Sequence, residues 1–577
     1  MKKNRKIIIG VILEDIHTDF SKELIKSIVN AIPPGKNVRL AVLPGKYDSV
    51  PELHEYHEVH NSVFALGEQC GFDGLIIHLG GLDEDLSASP HRRIKNFGDI
   101  PTVYIGLDRS DIVTVNYDNE TGIREAVNYL VNVSGITRLC MLGGREDNKD
   151  ARLRKTIFMR CLEEYGLDYN GRFFVNTDMS IDCAADAERL LDMNPDAQAV
   201  FCVNDASAKG LYSAMAKKGI IPGKDLLVFA FDNTNMSGEL SPSLSSIGAY
   251  GTTLGGKALD LVLDMINGAE VGSALVPTRL YGRDSLPYAM YDYNVIEMMN
   301  IEPAFIYRMF DDCFYRYRTS QRGREQIDLR RLYFEMISRI LYAVKYRYLG
   351  IETFDEITRM IDIFFCSDAV NYTDAAKLME SIGMLQQALN DVQRSQAAGT
   401  LVNRLFLRMR DRAMTAFADK LSEEKKQRFE ETRLLQLFMA ESMSFSGEPA
   451  QARRDLIRSL ECFCMKNAAL YLFDEPFTYA RSSFKSFPQT LKLICVVRKG
   501  EVHLVPEVRQ RCPLRDMFRK SDMPSGKGGF IAFPIFHRGI IYGLLLSEPC
   551  GDIYERGECV ALQIGMAMYL TNKDNNR

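Results

Sequence analysis

The sequence predicts an α/β protein. Its first part is a doubly wound, two-lobed parallel-sheet domain, followed by a helical block and a smaller α+β domain. Three observations carry that prediction. Short apolar strands alternate with longer helices from Ile7 to about Ser285, the pattern of parallel sheets covered by helices on both faces. From about Tyr291 apolar residues recur at helical spacing. From Leu434 short strands and hairpin turns return. These shifts divide the chain at 1–290, 291–433 and 434–571. At 577 residues it is too long for a single core.

Taken in order, Ile7–Leu13 is an apolar strand, Phe20–Ile32 a helix with Asp19 near its start, and Val38–Leu43 a second strand. Glu52–Gln69 reads as a helix, and Leu75–Leu79, Thr102–Ile105 and Val113–Val115 as strands. Glu120–Val133, Arg138–Leu142 and Arg154–Tyr165 continue the alternation. Two lobes fit this length better than one. In the middle block, Ala375, Leu378, Ile382, Leu385, Leu389 and Val392 form a short 3–4 seam. Gly399 is expected to interrupt it, and Leu401, Leu405, Met409, Ala413, Phe417 and Leu421 then repeat every four. Glu423–Arg433 is a charged stretch expected to face water. In the last part, helix Pro449–Met465 leads to strand Ala468–Phe473. Leu491–Val497 and Glu501–Leu504 flank a Lys499–Gly500 turn. Gly529–Phe536 and Ile540–Leu546 form a second hairpin, and Tyr554–Leu570 is a final helix.

Composition narrows the function classes. The chain is 46% hydrophobic and 25% charged, with a net charge of -5. That balance gives no basic footprint for nucleic acid or an anionic membrane. Thirteen cysteines occur without a CxxC pair; the closest are Cys462 and Cys464. Reduced, mostly core thiols in the cytoplasm are the expectation. The apolar run Ile7–Leu13 is too short for a secretion signal, and no stretch approaches a membrane span.

The stretch Leu226–Ile247, LLVFAFDNTNMSGELSPSLSSI, carries the candidate site. A buried-looking strand ends on Asp232 beside Asn233, and a long polar loop follows. Upstream, Ala199–Val203 runs into Asn204 and Asp205 in the same way. Ligands of open α/β sheets bind outside the carboxyl ends of the strands. An acid capping a turn is the bland alternative at either position. Two adjacent strand ends with one polar signature favour a ligand contact.

Several short motifs now agree in order and spacing: VNYDNETG at Val115–Gly122, Ala126–Leu130, Arg138–Gly144, ARLR at Ala151–Arg154, AVFCVNDASAKG at Ala199–Gly210, Phe229–Asn233 with Pro242–Ile247, and VPTRLYGRDS at Val276–Ser285. Together they resemble the effector-binding domain of LacI/GalR-type regulators, itself similar to type I periplasmic sugar-binding proteins. The resemblance implies two lobes joined by three crossovers, with a small-molecule effector, sugar-like or nucleobase-like, held between them. It implies contacts from Phe20, Asp108, Arg154, Asn204 and Asp232. A guanidinium fork and a carboxylate can fix a polyol or flat heterocycle bidentately. With no Trp in the chain, stacking falls to Phe or Tyr. A structural Arg154–Asp232 ion pair is the alternative. The helical block reads as signal-transmitting helices at a homodimer interface, with an ordinary helical domain packing on itself as the alternative.

Two tempting motifs lead elsewhere. GTTLGGKA at Gly251–Ala258 spells GxxxxGK, but Ala258 lacks the hydroxyl a Walker A uses for Mg²⁺, so a plain helix start is expected. His54, His57 and His60 stand three apart in HEYHEVH and read as a solvated face, with no metal site. No Ser/His/Asp or Cys/His arrangement has a defined context, so no catalytic site and no cofactor are expected. Six residues precede the first strand, leaving no room there for a helix-turn-helix, and direct DNA binding is not expected.

GGFIAFPIFHRGIIYGLLLSE followed by YERGECVALQIGMAMYL resembles the end of a GAF domain. The whole order resembles the sensory half of signalling proteins that end in a GGDEF diguanylate cyclase, although no GG[DE]EF occurs. The expected function is non-enzymatic ligand sensing, with closure passed to a separate output protein. A transcriptional regulator without its own helix-turn-helix, or a truncated cyclase sensor, are the alternatives.

Overall fold

The computed structural model describes residues 6–33, 35–46, 54–78, 100–107, 110–168, 170–286, 295–314, 317, 328–346, 350–392, 396–442, 465–480, 486–524, 528–549 and 553–575. The expected helix Pro449–Met465 falls almost wholly outside them, as does Asp108.

Strand β1 (Ile7–Leu13) leads to helix α1 (Asp19–Ala31) and β2 (Val38–Pro44). Then come β3 (Gly74–His78), β4 (Thr102–Ile105) and β5 (Val113–Tyr117). Helix α2 (Asn119–Asn128), β6 (Leu139–Gly143), helix α3 (Lys149–Glu164) and β7 (Phe174–Asn176) open the second lobe. It continues with β8 (Ala199–Cys202), helix α4 (Asp205–Lys218), β9 (Leu227–Phe231) and β10 (Ser245–Ala249). Helix α5 (Leu254–Ile266) and β11 (Ala274–Val276) return to the first lobe, and β12 (Thr278–Tyr281) to the second. The chain therefore crosses between lobes three times, after β5, after β10 and between β11 and β12.

The helix starts follow local chemistry. The side chains of Thr18, Asp118, Asn148, Asn204 and Thr253 each accept a hydrogen bond from a backbone N–H in the first turn of α1 to α5 respectively. Helix α4 ends on Gly219 at φ 70°, a left-handed cap without a Cβ clash. GTTLGGKA is a capped helix start, as expected. The region 54–69 is helical in three pieces rather than one: Leu66–Gln69 follows a 3-10 turn at Asn61–Ala65.

The middle block contains helix α6 (Ala375–Val392) and the long helix α7 (Gln396–Ser442). Gly399 lies inside α7 and does not break it. A single glycine costs only about 1 kcal/mol against alanine, which the packing of this helix outweighs. Val402, Leu405, Phe406, Met409 and Ala413 bury one face of α7 in the block's own core. Beyond it, Glu423–Lys426 face water as expected.

The last part carries β13 (Asn467–Thr478), β14 (Thr490–Arg498), β15 (Glu501–Leu504), β16 (Arg511–Pro513), β17 (Gly529–His537) and β18 (Ile540–Ser547). Helix α8 (Ile553–Asn575) follows. This sheet is antiparallel within itself but not separate. Strand β17 pairs in parallel with β2, Gly529 opposite Leu40 and Ile531 opposite Val42. One 12-stranded sheet thus runs β11-β5-β4-β3-β1-β2-β17-β18-β13-β14-β15, with β16 on β14. The second lobe has its own six strands, β12-β10-β9-β8-β6-β7.

The junction is packed on both faces. Ile531, Phe533 and Ile535 share a core with Ile9, Val11 and Leu40. Phe530, Ala532 and Phe536 share the opposite one with Ile8, Phe64 and Leu75. The backbones approach closely because Gly529 has no side chain: a Cβ there would lie 2.3 Å from the Leu40 carbonyl oxygen, at φ 143°. This packing also overturns the solvated reading of HEYHEVH. His57 and His60 are buried, and burial lowers the His60 pKa to about 3. Tyr56 and His60 face Glu558 on α8.

Candidate functional site

A cleft of ≈ 830 Å³ lies between the two lobes. Its walls are the carboxyl ends of strands and the loops that follow them, as the connectivity of an open α/β sheet requires. Phe20, Arg154, Asn204 and Asp232 all line it. Four of the five expected residues are therefore brought together; Asp108 lies outside the described residues.

Asp232 follows β9 with φ 99°, and Asn233 with φ 48°. Non-glycine residues hold such angles only where surroundings fix them. Here the Asp232 N–H donates to the Ile247 carbonyl (2.8 Å), and the Asn233 N–H to the Ser246 hydroxyl (3.0 Å). Burial raises the Asp232 pKa, and Arg154 pulls it back.

Arg154, on α3, is 3% exposed. Its Nη2 donates to Asp232 Oδ1 (3.2 Å), Nη1 to the Val203 carbonyl (2.7 Å) and Nε to Asn119 Oδ1 (3.0 Å). The guanidinium also lies 3.7 Å from the centre of the Phe231 ring. Each of its three nitrogens is thus engaged by the protein. Its first role is to hold and balance Asp232. Asn204 is similarly occupied: its Oδ1 caps α4 at the Ser207 N–H (2.8 Å), and its Nδ2 donates to the Met179 carbonyl (3.0 Å). Phe20 enters from the first lobe, its ring 5.0 Å from that of His78.

Two further acids stand here, of which Asp205 reads from the sequence as part of the polar strand end but not as a site residue. Asp205, next to Asn204, is buried and accepts from the Thr234 N–H (2.7 Å) and the Ser246 hydroxyl (2.5 Å). Burial and then the nearby Asp232 raise its pKa to about 7, against the pull of those hydrogen bonds. Glu14, at the end of β1, is raised to about 7, first by burial, with Arg145 opposing. Glu14, Asp15, Asp19, Asp150, Asp178, Asp182, Asp205 and Asp232 all line the cleft, against Arg145 and Arg154. An acid at the end of a strand was a usable signal for Glu14, just as it was for Asp232. The arrangement offers acceptors for hydroxyl or ring N–H donors and an aromatic face. Among the described residues no group of three or more His, Cys, Asp or Glu side chains is arranged to hold a metal ion.

A family model described as a periplasmic binding protein-like domain matches residues 127–286. Beyond that match, the first half of the chain is similar to LacI-type regulators. Over 277 residues it is 26% identical to the HTH-type transcriptional repressor CytR of Escherichia coli (strain K12), covering 47% of this chain and 76% of that protein. Over 288 residues it is 28% identical to Catabolite control protein A of Priestia megaterium, covering 48% and 81%. Among solved structures, a lac repressor dimer bound to operator and the anti-inducer ONPF is similar, with 22% identity, a TM-score of 0.41, and coverage of 50% of this chain and 96% of that one. The family model spans most of the second lobe, which supplies Arg154, Asn204 and Asp232. No described helix is long and apolar enough to cross a membrane.

Proposed function

We propose that this chain is a cytoplasmic ligand sensor without enzymatic activity. It takes a small polar molecule, sugar-like or nucleobase-like, between its two lobes and passes closure to an output partner. The observation that carries the reading is the inter-lobe cleft, lined by both Phe20 and Asp232, where Asp232 sits in a strained backbone and its carboxylate is bonded by Arg154. A buried carboxylate with one oxygen engaged keeps acceptor capacity for a ligand donor. Closure requires a ligand that favours the closed state by differential contacts. The antiparallel sheet with its final helix supports a GAF-like reading of the C-terminal part, and the LacI-type similarity supports a homodimer.

Regulation of transcription is the second reading. It is favoured by similarity to relatives named as transcriptional regulators. In that reading DNA contact comes from a partner. A thermal-shift screen of the full chain against sugars, nucleosides and nucleobases tests the ligand reading. A ligand at 100 times its Kd adds about 2.7 kcal/mol of stability. Absence of any shift across those classes would contradict it.

A further inference from the structure

The contacts between parts of the chain sort into two firm bodies. The first lobe and the C-terminal sheet share the β2–β17 ladder and two cores. They are pinned further by buried Arg39, which donates to the Phe518 and Pro524 carbonyls (2.8 and 3.0 Å), and by Arg519 to Asp73 (2.7 Å). Glu558 on α8 accepts from Lys46 (3.0 Å) and meets His17 Nε2 (3.0 Å), and His17 itself lines the cleft. The second lobe is joined to the helical block in a comparable way. Arg283 Nε donates to Asp374 Oδ2 (2.9 Å), both side chains buried, and Arg279 meets Asp312 (3.5 Å), which also pairs with Lys377 inside the block (3.3 Å).

The long helix α7 connects the two bodies. Its first half is fixed in the helical block, where Arg408 and Arg412 both bond Asp362 (2.9 and 2.7 Å). The described side chains of its second half are mostly exposed, and this half meets α8, where Arg556 Nη2 donates to the Thr432 hydroxyl (3.0 Å, exposed). The contacts thus close a ring: first lobe, second lobe, helical block, α7, α8 and back to the first lobe. In a closed ring, a change of angle at one joint must be absorbed at another. The packed, ladder-bonded joints resist it, whereas an exposed polar helix contact yields first.

We propose that α7 is a lever: opening and closing of the cleft is taken up as displacement of its exposed half along α8, so that the α7–α8 contact reports the state of the cleft. The proposal rests on the reading of the cleft as one that opens and closes, but its test needs no ligand. Hydrogen exchange is followed in the full chain at the Asp118 and Tyr250 amides, which donate to the Val276 and Pro277 carbonyls across the crossovers. The chain carries Thr432→Cys and Arg556→Cys, oxidised and reduced, with Thr432→Cys alone as control. Locking α7 to α8 is expected to slow exchange at those two amides by about tenfold. Arg556→Ala is expected to speed it, and decides the matter if the disulfide does not form. Exchange that changes only around positions 432 and 556 overturns the lever. A ligand screen that fails while crossover exchange still responds would remove the ligand reading and leave the lever standing.

Discussion

Arg154 and Asp232 form a pair whose members have unequal freedom. The arginine is enclosed by Asn119, Val203 and Phe231, whereas Asp232 borders the cleft. Arg154→Ala removes the partner of a largely buried carboxylate, an uncompensated charge costing about 3–5 kcal/mol. It is expected to lower the midpoint of chemical denaturation strongly, and a midpoint close to wild type would place the pair in open solvent. Glu14 gives a second residue-scale prediction. Its folded pKa of about 7 lies above its ordinary value of 4.5, so the folded state holds its proton more tightly. The stability from that proton is complete below about pH 4.5 and is lost as pH rises through 7. Relative to Glu14→Gln, wild type should therefore lose melting temperature between about pH 5 and 8. Comparing the two profiles separates Glu14 from His60 and His78, whose pKa values are lowered by burial. Parallel profiles would contradict the shift. At this scale Asp232 was legible because a carboxylate ended an apolar strand. The Arg154–Asp232 ion pair, weighed as the alternative to a ligand contact, is present. The burial of Asp205 and the Arg154 bonds to Asn119 and Val203 were not legible, since they depend on loops brought together from distant strands.

Among the elements, strand β17 is the joint that most depends on one residue. Gly529→Ala places a Cβ against the Leu40 carbonyl. It should open the β2–β17 ladder and raise hydrogen exchange of the Leu40 amide, which donates to the Gly528 carbonyl (3.0 Å). Unchanged protection there would contradict the close approach. Pro534 fits the same strand, because β2 pairs only with residues 529–531 and needs no donor at position 534. The sequence pattern set most strands and helices to within a residue or two, because apolar runs and caps are local signals. Strand β17 is buried along nearly its whole length, the mark of a strand covered on both faces. That pattern says a neighbour exists; it does not say that the neighbour is β2, almost 500 residues earlier.

The whole molecule departs most from the serial order of its parts. The sequence reads as three successive domains, yet the last folds back to extend the sheet of the first. Composition and periodicity do not encode such a long-range pairing, so the two joined bodies were invisible beforehand. A chain ending at residue 464 would leave the β2 edge and two apolar faces uncovered, a template for aggregation. It should be recovered mainly as aggregate on size-exclusion chromatography, whereas a monodisperse, stable product would show that the first lobe is complete alone. The cleft is proposed to hold a small polar ligand through Asp232. A thermal-shift screen of sugars, nucleosides and nucleobases on wild type and Asp232→Asn tests it most directly. The asparagine can still accept from Arg154 but forfeits a charge-assisted bond to the ligand, worth roughly tenfold to a hundredfold in affinity. At least one compound is expected to raise the wild-type melting temperature, and this shift is expected largely to disappear in Asp232→Asn. A shift of equal size in both proteins, or none in wild type, would contradict it.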